Sequence, residues 1–80
     1  MSSPVEQRTC QVVAEVFGLP VDQVTLDTSQ ETLDDWDSLN VLNVLMAIEG
    51  EFGVTVDPEE SAEFVSVERI VTVLRSKGID

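Results

Sequence analysis

The sequence predicts an all-α fold, a small bundle of three main helices plus one short helix. Three stretches space their apolar residues by three and four, each opens on a Ser or Asp cap signal and closes on a glycine, and no apolar alternation runs long enough to build a sheet. The 80 residues are 42% hydrophobic, which supports one core and a single domain over residues 1–80. Leu, Ile, Val and Phe make 27 of the 80, above the roughly 20% below which disorder is expected.

The first helix is predicted over about residues 3–17. Ser3, Pro4 and Glu6 form a start signal, with a capping hydroxyl, a proline whose missing N–H costs nothing, and an acid reaching back to the cap. Val5, Thr9, Val12, Val13, Val16 and Phe17 follow helical spacing, and Gly18 before Leu19-Pro20 stops it. From Pro20 to Trp36 no period is sustained. This long connection is expected to be pinned by Val21, Val24, Leu26, Leu33 and Trp36.

Asp37 or Ser38 caps a second helix over 38–52. Val41, Leu42, Leu45, Ile48 and Phe52 make its expected core face, and Leu39, Asn40, Asn43, Met46 and Gly50 the other. Asp57-Pro58-Glu59-Glu60 repeats the cap, Pro and Glu signature for a short helix over about 58–63. Ser66 caps the last helix, 66–77, with Val65 and Ile70 placed as a hydrophobic staple. Val54-Thr55-Val56 and Val71-Thr72-Val73 have strand composition but are too short and isolated to make a sheet.

Four bases against sixteen acids give a net charge of −12. That excludes a nucleic-acid binder, whose affinity comes from Lys and Arg, and stable adsorption to an anionic membrane. Residues 9–68 hold no base and fourteen of the acids, so the surface is either a solvated acidic shell or a docking surface for cationic partners. The longest wholly apolar run, Val44 to Ile48, is too short to span a bilayer. A cytoplasmic monomer is expected.

With no histidine and only Cys10, the usual zinc sets, Ser-His and Cys-His pairs and an internal disulfide are all out of reach. Asp34-Asp35-Trp36-Asp37 invites a calcium-loop reading, but the sixth-position glycine and the twelfth-position glutamate are missing. Neither a catalytic residue nor a metal site is predicted, so the chain is not expected to be an enzyme. Cys10 reads as a small, partly buried side chain, and Trp36 as packing the loop onto the bundle. Ser38 stands where the long loop becomes a helix. Its hydroxyl is suited to capping, or to carrying a phosphate favoured by the helix dipole and opposed by Asp34, Asp35 and Asp37.

Asp37-Ser38-Leu39, the amphipathic run Val41 to Glu49 and the closing Glu51-Phe52-Gly53-Val54 resemble the acyl carrier protein family. The resemblance covers nearly the whole chain, and Trp36 beside the serine is similar to some free-standing bacterial carriers of specialised pathways. It implies an acyl-carrier-like bundle in which Ser38 receives 4′-phosphopantetheine from coenzyme A, through a separate phosphopantetheinyl transferase. Acyl groups then travel as thioesters on the arm. It also implies that Asp37, Leu39, Met46, Glu49 and Glu51 contact the transferase and the acyl-loading and acyl-processing enzymes, through cationic docking surfaces on those partners. The residues themselves leave Met46 open between this role and gap-filling in the core. Asn40, Asn43 and Gly50 stand where carriers of primary fatty-acid synthesis usually bear acids, which weighs against that pathway. A peptidyl carrier and an unmodified acidic adaptor for a basic protein surface are the alternative functions.

Overall fold

Helix α1 runs Pro4–Phe17 and buries Val5, Thr9, Val12, Val13 and Ala14 as one stripe. In the computed structural model, which describes residues 4–79, the predicted Ser3 cap lies outside the described residues. Buried Thr9 is satisfied locally, its hydroxyl donating to the Val5 carbonyl at 2.7 Å. Gly18 ends the helix at φ +68°, and Leu19 N–H bonds back to the Ala14 carbonyl at 2.9 Å.

Helix α2 spans Ser38–Phe52 and closes on Gly53 at φ +66°. Helix α3 is only Pro58–Ser61, shorter than the 58–63 expected, and turns carry the chain onward to Val65. Its start is held by Glu60, whose carboxylate accepts from Asp57 N–H at 2.9 Å. Helix α4 covers Val67–Ser76, one residue inside the predicted span at each end, with Ser66 as cap accepting from Arg69 N–H at 3.1 Å. Among the described residues no strand forms, and Val71 to Val73 lie within α4.

Helix α1 packs against both α2 and α4. The core joins Val12 and Val13 of α1, Val44 and Ile48 of α2, and Ile70 and Leu74 of α4, with Val24, Trp36, Val56 and Phe64 inserted from the connections. The long connection contains one 3-10 turn, Val21–Gln23. Beyond it the loop is stitched to the start of α4. Val67 N–H donates to the Thr28 carbonyl at 2.9 Å, Glu68 N–H to Leu26 at 3.2 Å, and Gln30 N–H to Val65 at 3.0 Å. Val24 and Trp36 are buried and Leu26 and Leu33 pack against the core, as expected of the pins, but Val21 is not a pin and lies exposed on the 3-10 turn.

Each base sits in an ion pair: Arg8 with Glu51, Arg69 with Glu63, Arg75 with Glu6 and Lys77 with Glu60. The Lys77 hydrogen bond, seconded by Asp57 N–H, holds the Glu60 carboxyl below its ordinary pKa. Its stabilising contribution is present above the ordinary carboxylate range and is lost as pH falls through the lowered value. Surface pairs of this kind contribute little each. With sixteen acids to four bases, repulsion dominates the screening response. Raising ionic strength from about 0.01 M to about 0.15 M shortens the Debye length from about 30 to about 8 Å and should raise the melting temperature by several degrees; millimolar magnesium should do likewise. Calorimetric melts that do not move with salt would place the carboxylates too far apart to interact.

Candidate functional site

Asp37, not Ser38, caps α2: it is extended, at φ −118° and ψ −178°, and its carboxylate accepts from Asn40 N–H at 2.9 Å. Asn40 returns the contact through its side-chain amide, which donates to the Asp35 carbonyl at 2.6 Å. Trp36 anchors the same turn to the body of the molecule. It is buried, stacks on Phe17 with ring centroids 5.4 Å apart, and donates through Nε1 to the Phe64 carbonyl at 3.0 Å. The backbone before Ser38 is therefore fixed on both sides of the chain.

Ser38 itself occupies the first helical position and is exposed. The other described serines use their hydroxyls: Ser29 and Ser66 accept from backbone N–H groups, while Ser61 and Ser76 donate to carbonyls. Ser38 Oγ takes part in no described hydrogen bond, which leaves it open to an external reagent. An open groove of about 440 Å³ lies beside it, lined by Trp36, Val41, Phe64 and Val65 with Gln30 and Ser61. A hydroxyl at a helix start with an adjoining trough fits a phosphate-linked arm: unpaired N–H groups and the dipole favour the phosphate, and the trough gives the arm a surface to lie along. Exposed Asp34, Asp35 and Asp37 oppose the phosphate but keep the segment acidic.

Two further grooves, about 510 and 540 Å³, run along α1 beside the 3-10 turn, and neither is lined by Ser38. Cys10 lines the first. Burial, with Glu6 adding to it, pushes its thiol pKa up, so it stays protonated and a poor nucleophile.

Leu39 and Met46 lie 68% and 54% exposed on α2, so Met46 does not fill the core. Leu42 joins them at 50% exposure and is not a core residue. Its expected place is taken by Val44, fully buried beside Ile48. Glu49 flanks this strip, three residues on from Met46 and seven from Leu42, whereas Glu51 stands off it. Glu49 turns toward the connection after α2, where its carboxylate accepts from Val56 N–H at 2.8 Å. Glu51 lies roughly 120–140° around the helix from Leu39 and Met46 at 3.6 residues per turn. Arg8 grips it there, with bonds of 2.9 Å to its carboxylate and to its carbonyl, while the guanidinium sits 4.4 Å from the Phe52 ring centroid. These two acids thus tie α2 to the rest of the fold.

The Glu49 contact has a measurable consequence. Glu49→Lys leaves the part-buried Val56 N–H without its charged acceptor and should cost about 1–3 kcal/mol, while Glu49→Gln, which keeps a carbonyl there, should cost under about 1 kcal/mol. Urea midpoints of the two variants check this. A lysine variant as stable as the parent would mean that water replaces the tether at no cost.

Residues 7–74 match the family model for the phosphopantetheine attachment site. The chain is also 35% identical to the acyl carrier protein of Petrotoga mobilis over 71 residues, 89% of this chain and 84% of that relative. Ser38 and the residues lining the groove beside it lie within residues 7–74.

Proposed function

The chain belongs to the acyl carrier protein family and carries its phosphopantetheine attachment domain, and from that premise we propose that Ser38 is the attachment point. The observation that supports this reading is the one described serine hydroxyl left exposed and unbonded, held at a helix start beside an open groove. Bound there, 4′-phosphopantetheine supplies a flexible arm whose thiol carries acyl groups as thioesters. The chain's own residues contribute placement. Asp37 and Asn40 fix the turn, Trp36 locks it to Phe64, and the helix start favours the phosphate.

The chain works as a carrier for separate enzymes and performs no catalysis of its own. Its partners are a phosphopantetheinyl transferase and acyl-loading and acyl-processing enzymes. Asp37, Leu39 and Met46 stand together at the start and outer face of α2 and form the docking face. Cationic surfaces on the partners are steered in by the net charge of −12. Glu49 adds a carboxylate at the edge of that face while one of its oxygens accepts from Val56 N–H, and Glu51, paired with Arg8, contributes to the field from beside it. A cytoplasmic, monomeric carrier is part of the proposed reading; among the described residues no helix is long and apolar enough to cross a membrane.

Intact mass after incubation with coenzyme A, magnesium and a broad-specificity phosphopantetheinyl transferase tests the reading. One phosphopantetheine unit is expected, and peptide mapping should locate it on Ser38. No adduct with several transferases would instead favour an unmodified adaptor.

A further inference from the structure

The groove beside Ser38 ends inward on two aromatic side chains. Trp36 and Phe64 both line it, yet they are only 6% and 1% exposed, so each gives the groove a small part of its surface and the core the rest. The indole Nε1 donates to the Phe64 carbonyl at 3.0 Å, which ties the two together, and the indole also stacks on Phe17 of α1. The other lining residues are mixed, with Gln30, Asp37 and Ser61 among the apolar ones.

Deeper in, Val44, Ile48, Ile70 and Leu74 have no more than 1% of their surface exposed, so no water-sized space adjoins them. An alkyl chain passing from the groove into this core would have to part the indole from the Phe64 carbonyl and from the Phe17 ring. The carbonyl would then lie buried without its donor, and the added methylenes would force close-packed neighbours from their rotamers. The space that the alkyl chain would fill is already filled.

Resting on the Ser38 reading, we propose that Trp36 selects the cargo by plugging the path from the Ser38 groove to the core. The chain then carries short or polar acyl groups along an open groove of mixed lining, and long alkyl chains find no shelter inside it. Each further methylene of a long cargo stays in water, where it is unfavourable, whereas a short or oxygenated acyl group has little to hide.

The test compares acyl forms of the full chain, loaded by a broad-specificity transferase from acetyl-, hexanoyl- or decanoyl-coenzyme A and checked by intact mass. In the parent, the decanoyl form should melt no higher than the acetyl form. Trp36→Ala opens the inner end of the groove. There the decanoyl form should melt about 4–8 °C above the acetyl form, with hexanoyl between them, as the alkyl chain refills the vacated space. Trp36→Leu keeps an apolar side chain and should show the same order with a smaller rise; it alone decides if Trp36→Ala does not fold. Val5→Ala is the control. It empties a buried site about 18 Å along α1 from Phe17, and should lower all three melting temperatures equally, which separates a plug from a general packing defect. The proposal is overturned if the decanoyl parent melts well above the acetyl parent, since shelter would then exist with the indole in place. It is equally overturned if the folded Trp36 variants melt at one temperature in all three forms. A parent that takes up no adduct even from coenzyme A overturns the Ser38 assignment and this proposal with it; full uptake with either of the preceding results overturns the plug alone.

Discussion

Ser38→Ala yields a chain that takes up no phosphopantetheine and unfolds at nearly the parent's urea concentration. The first half follows from chemistry, since the methyl group has no oxygen on which to build the phosphodiester. The second half follows from the cap assignment. Asp37 accepts the Asn40 N–H, Ser38 Oγ has no described partner, and alanine is a better helix former than serine at an exposed position. The stability change should stay within about 0.5 kcal/mol, whereas Asp37→Ala removes the capping carboxylate and should cost about 0.5–2 kcal/mol. Intact mass and urea midpoints on both variants separate attachment from folding. An adduct that persists in Ser38→Ala would move the attachment to another hydroxyl and end the assignment. Equal destabilisation by the two substitutions would mean that the serine shares the capping role.

The limits of α2 were legible because Asp37, Ser38 and Gly53 are local signals that act on the backbone beside them. Its orientation was less so. Apolar side chains nearly encircle the helix from Val41 to Ile48, and spacing alone does not choose between Leu42 and Val44. Packing against α1 and the shared core chooses, burying Val44 and leaving Leu42 in solvent. The roles of Glu49 and Glu51 were out of reach for a different reason: their partners, Val56 N–H and Arg8, lie 7 and 43 residues away and meet them only in the folded chain. The loop from Pro20 to Trp36 was readable as pinned by its apolar residues. Its backbone bonds to the start of α4 were not, since Thr28 and Leu26 carbonyls carry no sequence signature. Leu39 and Met46 were legible as an outer face.

Trp36→Ala should remove about 3–5 kcal/mol of stability, the range for truncating a buried aromatic, out of the roughly 4–12 kcal/mol that 80 residues ordinarily provide. Three contacts fail together: burial against the core, the stack on Phe17, and the indole N–H bond to the Phe64 carbonyl. Phe64 lies at the turn between α3 and α4, so the indole clamps the turn before Ser38 to the opposite side of the groove. Losing it should free both walls. Trp36→Phe separates the contributions: it retains most of the buried area and the ring stack but leaves the Phe64 carbonyl unpaired, for a cost of about 1–3 kcal/mol. Because Trp36 is the chain's single tryptophan, its fluorescence follows unfolding of the parent, while circular dichroism serves for both variants. If packing is the whole of its role, the phenylalanine protein, folded and with Ser38 intact, should still be modified to completion. An alanine variant destabilised by less than about 1 kcal/mol would show that the loop is held by its backbone bonds to α4, with the indole adding little.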